Sequence, residues 1–150
     1  MAYIFLSSPH DMEHPQSIPF PVVDFYSFTW SPDNSNLLLC SKGVVEQEQH
    51  CYIFSLKDYS FTEIPPVTPP DNESIQILLG GVPAGSQNSR PWSPDSQQIL
   101  FNLIYADKKT GRSVKSVLRV FDLKTQSYSE EFPIQSSGTW LPASWVPLSK

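Results

Sequence analysis

Two histidines four residues apart stand near the start of the chain, and their side chains are the ones most able to bind a metal ion. His10 and His14 enclose two carboxylates in the segment HDMEH. On a helix this spacing places both imidazoles on one face, where they could ligate zinc. Pro9 and Pro15 border the segment and leave little room for a helix. We therefore predict a solvated loop rather than a metal site.

Cys40 and Cys51 are the two cysteines of the chain. If the loop between them is centred near Val45 and Glu46, they lie opposite each other in a hairpin, near enough for a disulfide. The N-terminal segment lacks a basic region, however, and its apolar run is too short for a secretory signal. Disulfides are rare in cytosolic proteins. The sequence therefore favours two reduced, partly buried thiols in a cytoplasmic protein.

Aspartates are the remaining residues that could do chemistry, and Asp33, Asp58, Asp95 and Asp122 stand at expected turns or strand ends. Their expected role is to cap backbone amides. The alternative for Asp33 and Asp95 is to line a channel that holds a cation. The chain has no Gly-x-Ser-x-Gly nucleophile motif, no P-loop and no dinucleotide-binding fingerprint. We predict a protein that is not an enzyme, with no catalytic, cofactor-binding or metal-binding residues and no cofactor.

Composition narrows the class of protein further. The 150 residues are 39% hydrophobic and 17% charged, which is typical of a folded domain with a core. A net charge of −5 argues against a nucleic-acid partner. Apolar runs such as YIFL are far shorter than the roughly 18 residues of a membrane span, so none is expected.

The elements that must position these residues are short strands. The chain has 15 prolines, and no window of 11 residues shows a helical apolar period. Aromatic and β-branched residues concentrate in short runs, as in strands. The predicted strands are residues 25–30, 36–40, 50–56, 59–64, 90–92, 98–105, 116–123 and 126–132.

One turn sequence, WSPD, occurs twice at an offset of 62 residues (92 − 30 = 62). Further along, FSLK from Phe54 and FDLK from Phe121 match at an offset of 67 (121 − 54 = 67), and the longer loop ADKKTGRSVK absorbs the difference. Each unit reads strand, turn, strand, loop, strand, tight turn, short strand. Four strands in about 40–50 residues are typical of a propeller blade. The residues singled out in the two turns are Trp30, Ser31, Pro32, Asp33, Trp92, Ser93, Pro94 and Asp95.

The physical chemistry of the turn is clear from its residues. Proline suits position i+1 of a type I turn, the aspartate can bond backbone amides ahead of it, and the tryptophan can pack between blades. The motif resembles the WD-repeat-like propeller repeats of TolB-type proteins, and similar repeats occur in the propeller domains of prolyl-oligopeptidase-type peptidases. The resemblance covers residues 25–66 and 88–135 and implies an all-β fold of four-stranded antiparallel blades. That family has glycine after the aspartate, whereas this chain has Asn34 and Ser96. Serine tolerates positive φ less well than asparagine, so the second turn is expected to differ in detail.

The predicted organisation is an incomplete propeller. Residues 1–24 end a blade, 25–66 and 90–135 are full blades, and 136–150 start another, with Trp145 in the tryptophan position. Residues 67–89 form a Pro/Gly-rich insertion, expected to be a connector rather than a binding loop, in which SIQILL adds a short strand. Two full units are too few for a ring of about four to eight blades. A fragment of a longer propeller is favoured over a dimer in which a second copy completes the ring.

The predicted function is a non-enzymatic β-propeller scaffold that binds a protein or peptide partner, or another copy of itself. The alternative is a non-catalytic propeller segment of a prolyl-oligopeptidase-type serine peptidase whose catalytic domain is not in this chain. A third interpretation is a remnant of a larger gene. A serine nucleophile motif encoded downstream would favour the peptidase.

Overall fold

The computed structural model describes residues 2–8, 11–20, 25–42, 49–79, 91–134 and 145. Within these ranges the chain forms antiparallel strands and no helix, so the predicted all-β class is confirmed. The strands are β1 Ala2–Ser8, β2 Asp11–Phe20, β3 Phe25–Trp30, β4 Asn36–Lys42, β5 Gln49–Ser55, β6 Ser60–Ile64, β7 Glu73–Leu79, β8 Gln98–Asp107, β9 Ser113–Asp122, β10 Ser127–Tyr128 and β11 Phe132–Pro133.

The strands form three antiparallel sheets, one of which is strongly curled. Sheet 1 is the pair β1–β2. Sheet 2 has the order β3–β4–β5–β6, in which each strand pairs with the next along the chain. Sheet 3 has the order β10–β9–β8–β7, and β11 also pairs with β9. No helix of the described residues has the length and hydropathy needed to span a membrane.

Sheet 2 lies between the other two, because alternate residues of a strand point to opposite faces. On one face Leu38, Cys40 and Ile53 pack against sheet 3, where Phe101 and Phe121 are fully buried. The opposite face carries a second cluster, whose buried members are Leu37, Leu39 and Phe54 of sheet 2 with Ile18 and Phe20 of β2. The apolar run after the first turn, residues 37–40, therefore contributes buried side chains to both clusters.

The segment HDMEH is not the predicted solvated loop. Residues 11–14 belong to β2, which pairs with β1 from Ala2↔Phe20 to Ser8↔Asp11. A register shift between Leu6 and Ser8 absorbs the extra residues on β2, so proline near this point does not end the strand. His10 lies outside the described residues.

Part of the predicted insertion at 67–89 is instead a strand of sheet 3. The expected strand in SIQILL is confirmed as β7, which pairs with β8 up to Leu79↔Phe101. The predicted strand at 90–92 is reduced to one bridge, Trp92↔Ile99, which continues along the same edge of β8. β7 and Trp92 thus share the place beside β8 that residues 90–92 were expected to fill alone.

The last predicted strand, 126–132, is divided into β10 and β11, both paired with β9. Between them, the Val120 amide donates to the Ser129 hydroxyl at 3.0 Å. A side-chain oxygen next to the ladder competes with backbone pairing. The division therefore has a local cause in Ser129.

Cys40 and Cys51 form a disulfide, so the prediction of reduced thiols was wrong. The two residues are direct partners in the β4–β5 register, with their Cα atoms 4.1 Å apart. Each is 3% exposed beneath sheet 3. The facing hairpin positions that make a disulfide possible are the ones that the structure adopts.

Candidate functional site

Four turns lie at one end of sheets 2 and 3, which we call the turn end, and they are residues 32–35, 56–59, 94–97 and 123–126. In sheet 2 the turn after β3 and the turn after β5 are joined by a bond from the Leu56 amide to the Ser35 carbonyl at 2.9 Å. In sheet 3 the Leu123 amide makes the matching bond to the Gln97 carbonyl at 3.0 Å. The two sheets are also linked here, because the Asp33 amide donates to the Ser96 hydroxyl at 3.2 Å.

The first Trp-Ser-Pro-Asp turn is built around a buried serine. Ser31 is 1% exposed, and its hydroxyl donates to Asp33 Oδ1 at 2.6 Å while accepting from the Asn36 amide at 2.9 Å. The same carboxylate oxygen accepts from the Ser35 amide at 3.0 Å. These bonds close the turn and start β4 directly after it.

The second turn has the same bonds. The Ser93 hydroxyl donates to Asp95 Oδ1 at 2.6 Å and accepts from the Gln98 amide at 2.9 Å. The Gln97 amide donates to the Asp95 carboxylate at 3.1 Å. Pro32 and Pro94 are exposed at the two tips.

The expected difference in detail between the two turns lies in side-chain bonds and not in the backbone, since the Ser35 hydroxyl of the first turn also donates to the Asp33 carboxylate at 2.8 Å. The residue after the aspartate has φ 57° at Asn34 and 61° at Ser96, in the left-handed region in both turns. Ser96 is 1% exposed, and its hydroxyl accepts the bond from the Asp33 amide. We attribute the tolerance of serine at this φ to that bond, which offsets part of the backbone strain.

The aspartates at the turn end are capping residues, as predicted. The Ser31 hydroxyl, followed by the amide and hydroxyl of Ser35, lowers the pKa of Asp33 to about 2. The pKa of Asp95 is lowered in the same way, chiefly by the Ser93 hydroxyl. Both carboxylates are therefore anionic at neutral pH.

Two further carboxylates at this end are also held in the charged form. The pKa of Asp58 is lowered chiefly by the Ser60 hydroxyl, and that of Asp122 chiefly by the Thr125 amide. Among the described residues, no three His, Cys, Asp or Glu side chains are grouped so that they could hold a metal ion. The cation-channel alternative for Asp33 and Asp95 gains no support there.

The tryptophans differ in their surroundings. Trp92 is 4% exposed in the core between sheets 2 and 3, as predicted for an anchor, and its indole nitrogen donates to the Thr29 carbonyl at 3.2 Å. The half-buried Trp145 donates to the Pro91 carbonyl at 2.8 Å. Thr29 and Pro91 each precede the tryptophan of one turn, so the same bond occurs twice. Trp30 is 39% exposed, which the sequence did not predict.

The sequence reasoning missed a polar cluster on sheet 3. The Tyr105 hydroxyl donates to Glu131 at 2.7 Å, and the Lys115 ammonium lies 2.8 Å from the same carboxylate and 4.2 Å from the centre of the Tyr105 ring. Burial, followed by Glu131, raises the pKa of Tyr105 to about 12, so its hydroxyl is a donor and not a base at neutral pH. The available signal was the β8–β9 hairpin, in which Tyr105 is opposite Lys115.

A shallow depression of about 380 Å³ lies on the described surface between the start of β7 and the turn after β8. Asp107, which lines it, accepts bonds from the amide and hydroxyl of Thr110 and from the Lys109 amide. Its carboxylate is thus occupied as a turn cap. The depression brings together no nucleophile and general base that could carry out catalysis.

Comparison of the chain with protein-family models, with curated proteins and with solved structures gave no match. The resemblance of the two turns to TolB-type repeats therefore stays a prediction. What the chain does has to be inferred from its own geometry.

Proposed function

We propose that this chain is a non-enzymatic β-propeller scaffold that binds a protein or peptide. The recurring tryptophan bond carries the proposal. The indole of Trp92 donates to the residue before Trp30, and the indole of Trp145 donates to the residue before Trp92. One bond thus relates each tryptophan to the one before it, as expected if successive sheets stack around an axis.

The packing and the turns support the same arrangement. Sheet 2 packs against sheet 3 on one face and against β1–β2 on part of the other, and blades of a propeller pack face to face in this way. Tyr59 and Gln126, in the second tight turn of each unit, have φ 56° and 53°. Phe61 and Tyr128 follow them and pack on the buried rings of Phe54 and Phe121, with centroids 4.7 and 5.1 Å apart.

The turn end is the binding surface that we propose. Loops held on a rigid scaffold commonly carry binding. Asp33, Asp58 and Asp95 are exposed there with lowered pKa values, and Tyr59 presents an aromatic ring that is 46% exposed. Anionic groups beside an aromatic ring favour a peptide that carries lysine or arginine together with an apolar side chain.

An array of random 12-residue peptides tests this function. The wild-type chain should retain peptides enriched in lysine and arginine, and raising the salt concentration should weaken their binding because exposed charges are screened. Tyr59→Asn keeps a residue that tolerates the positive φ, and it should weaken the binding of the selected peptides about tenfold.

Val114→Asn is the matched control, because Val114 is also an exposed apolar residue, 56% exposed on β9 away from the turn end. Its binding should equal that of the wild type. Retention of no peptide above the level of an unrelated all-β protein would refute the proposed function. Equal losses in both variants would refute the assignment to the turn end.

The peptidase alternative shares the scaffold but needs a catalytic serine on another part of the polypeptide. No observation in the described residues favours it over a binding scaffold. It stays a prediction from the resemblance of the turns.

A further inference from the structure

One face of sheet 2 is only half covered. Phe28 and Trp30 of β3 are the cross-strand partners of Leu39 and Leu37, so all four side chains share the face on which sheet 1 packs. Leu39 and Leu37 are 3% and 5% exposed, but Phe28 is 68% exposed and Trp30 is 39% exposed. Among the residues that the structure describes, sheet 1 has two strands and sheet 2 has four, so sheet 1 leaves part of this face uncovered.

Sheet 1 has an open edge beside this uncovered area. Phe20 of β2 packs on Tyr52 and Phe61, which lie on β5 and β6. β2 therefore lies over the β5–β6 half of this face of sheet 2. β1 is therefore the strand nearer to β3, with Ile4 and Leu6 packed on the cluster. Within the described residues, β1 pairs with β2 alone. Its other edge presents backbone donors and acceptors, which is a ready template for another strand.

The dimensions indicate strands as the occupant. The open edge runs for the 7 residues of β1, about 23 Å, and the two uncovered strand positions span roughly 10 Å. Extended chain fits this space and would cover Phe28 and Trp30.

Trp30 shows what the occupant must supply. Trp92, at the same place in the second turn, is 4% exposed and donates to a carbonyl of the neighbouring sheet. Within the described residues the Trp30 indole makes no such bond. A strand lying over Trp30 with a free carbonyl would complete the relation that Trp92 and Trp145 already have.

We propose that a second copy of this chain occupies this surface, which consists of Phe28, Trp30 and the open edge of β1. The outer side of sheet 3 carries the complementary part, since Trp145 bonds to Pro91 there as Trp92 bonds to Thr29. Two copies joined head to tail around a two-fold axis make this contact twice and close on themselves. The inference rests on the proposed propeller scaffold and adds its partner.

Light scattering coupled to gel filtration tests the pairing on the full chain at about 1 to 100 µM, the micromolar range in which protein pairs of moderate affinity dissociate. The expected mass is about 34 kDa, twice 16.9 kDa, falling to the monomer mass on dilution. Phe28→Lys should raise the dissociation constant of the dimer at least about 100-fold, because it places an unpaired charge in the contact. Thr62→Lys, at an exposed residue of β6 outside both contact surfaces, should leave it unchanged.

A fluorescence measurement keeps the test independent of any single variant. Subtracting the emission spectrum of Trp30→Phe from that of the wild type gives the emission of Trp30. The maximum of this difference spectrum should shift to shorter wavelength as the protein concentration rises. A monomer at the highest concentration would overturn the pairing, and so would an open series of larger masses. Equal weakening by the two lysine variants would also overturn it. Peptide binding by a monomer would leave the proposed function standing while this inference fails.

Discussion

Replacing Ser31 with alanine should destabilise the protein far more than its small size suggests. Its hydroxyl makes one bond to the Asp33 carboxylate at 2.6 Å and accepts one from the Asn36 amide at 2.9 Å, in a site that is 1% exposed. A neutral hydrogen bond contributes about 0.5–1.5 kcal/mol and a bond to a charged group about 1.5–3 kcal/mol. Because Asp33 itself is exposed to solvent, the lower values apply. Ser31→Ala should therefore lower the free energy of unfolding by about 2–3 kcal/mol.

The assay is equilibrium unfolding in urea at pH 7 and one protein concentration, followed by tryptophan fluorescence and by circular dichroism. Ser93→Ala removes the same two bonds in the second turn and should cost the same within about 0.5 kcal/mol. Ser60→Ala is the control, since Ser60 bonds to Asp58 in an exposed turn. It should cost less than about 1 kcal/mol.

The pKa of Asp33 provides an independent readout of the same bond. The folded-state value of about 2 lies below the ordinary 3.8, so Asp33 contributes stability above pH 3.8 that is lost as the pH falls toward 2. In Ser31→Ala the pKa should rise toward 3.8, and the penalty of the substitution should shrink in that pH range. A cost under about 0.5 kcal/mol together with an unchanged Asp33 titration by NMR would refute this account of the turn.

Three further outcomes are expected. Replacing Cys40 and Cys51 together with alanine should lower the free energy of unfolding in urea by about 3 kcal/mol, because the bond closes a loop with a sequence separation of 11; an unchanged midpoint would contradict this. Trp92→Phe should cost about 2 kcal/mol through the lost bond to the Thr29 carbonyl and the volume left empty, measured by circular dichroism in urea. An unchanged free energy of unfolding would show that the indole bond does not stabilise the protein. Tyr105 keeps its proton up to about pH 12, so stability should fall between pH 10 and 12 as the unfolded chain ionises, and urea midpoints in that range should fall less steeply in Tyr105→Phe. Parallel slopes in the two proteins would count against it.

The parts of the fold that could be predicted from sequence are those with local causes. Proline and aspartate at fixed positions fix a turn through bonds within a few residues, and both Ser-Pro-Asp turns form at the predicted places. Each turn reverses the chain directly before an apolar run, and these two runs become β4 and β8. Capping by the aspartates was equally local.

The features that were missed depend on contacts between distant segments. β2 is polar and contains proline, and only its pairing with β1 makes it a strand. The strand β7 was predicted, but within a segment expected to connect two blades, and its pairing with β8 shows that it belongs to sheet 3. Trp30 is exposed and Trp92 is buried because the two residues differ in what lies over them. The Ser-Pro-Asp residues that follow both tryptophans are identical, so they do not predict this difference.

The disulfide also has a mechanical consequence. It joins neighbouring strands in the middle layer, at residues separated by 11 positions. A force applied to the two ends of the chain would bypass the loop between Cys40 and Cys51, and the fully stretched molecule would be shorter by about 32–36 Å than its reduced form. The β4–β5 hairpin would then stay clamped at this pair after the sheets on either side had been pulled away. Single-molecule stretching with and without a reductant would read that length directly.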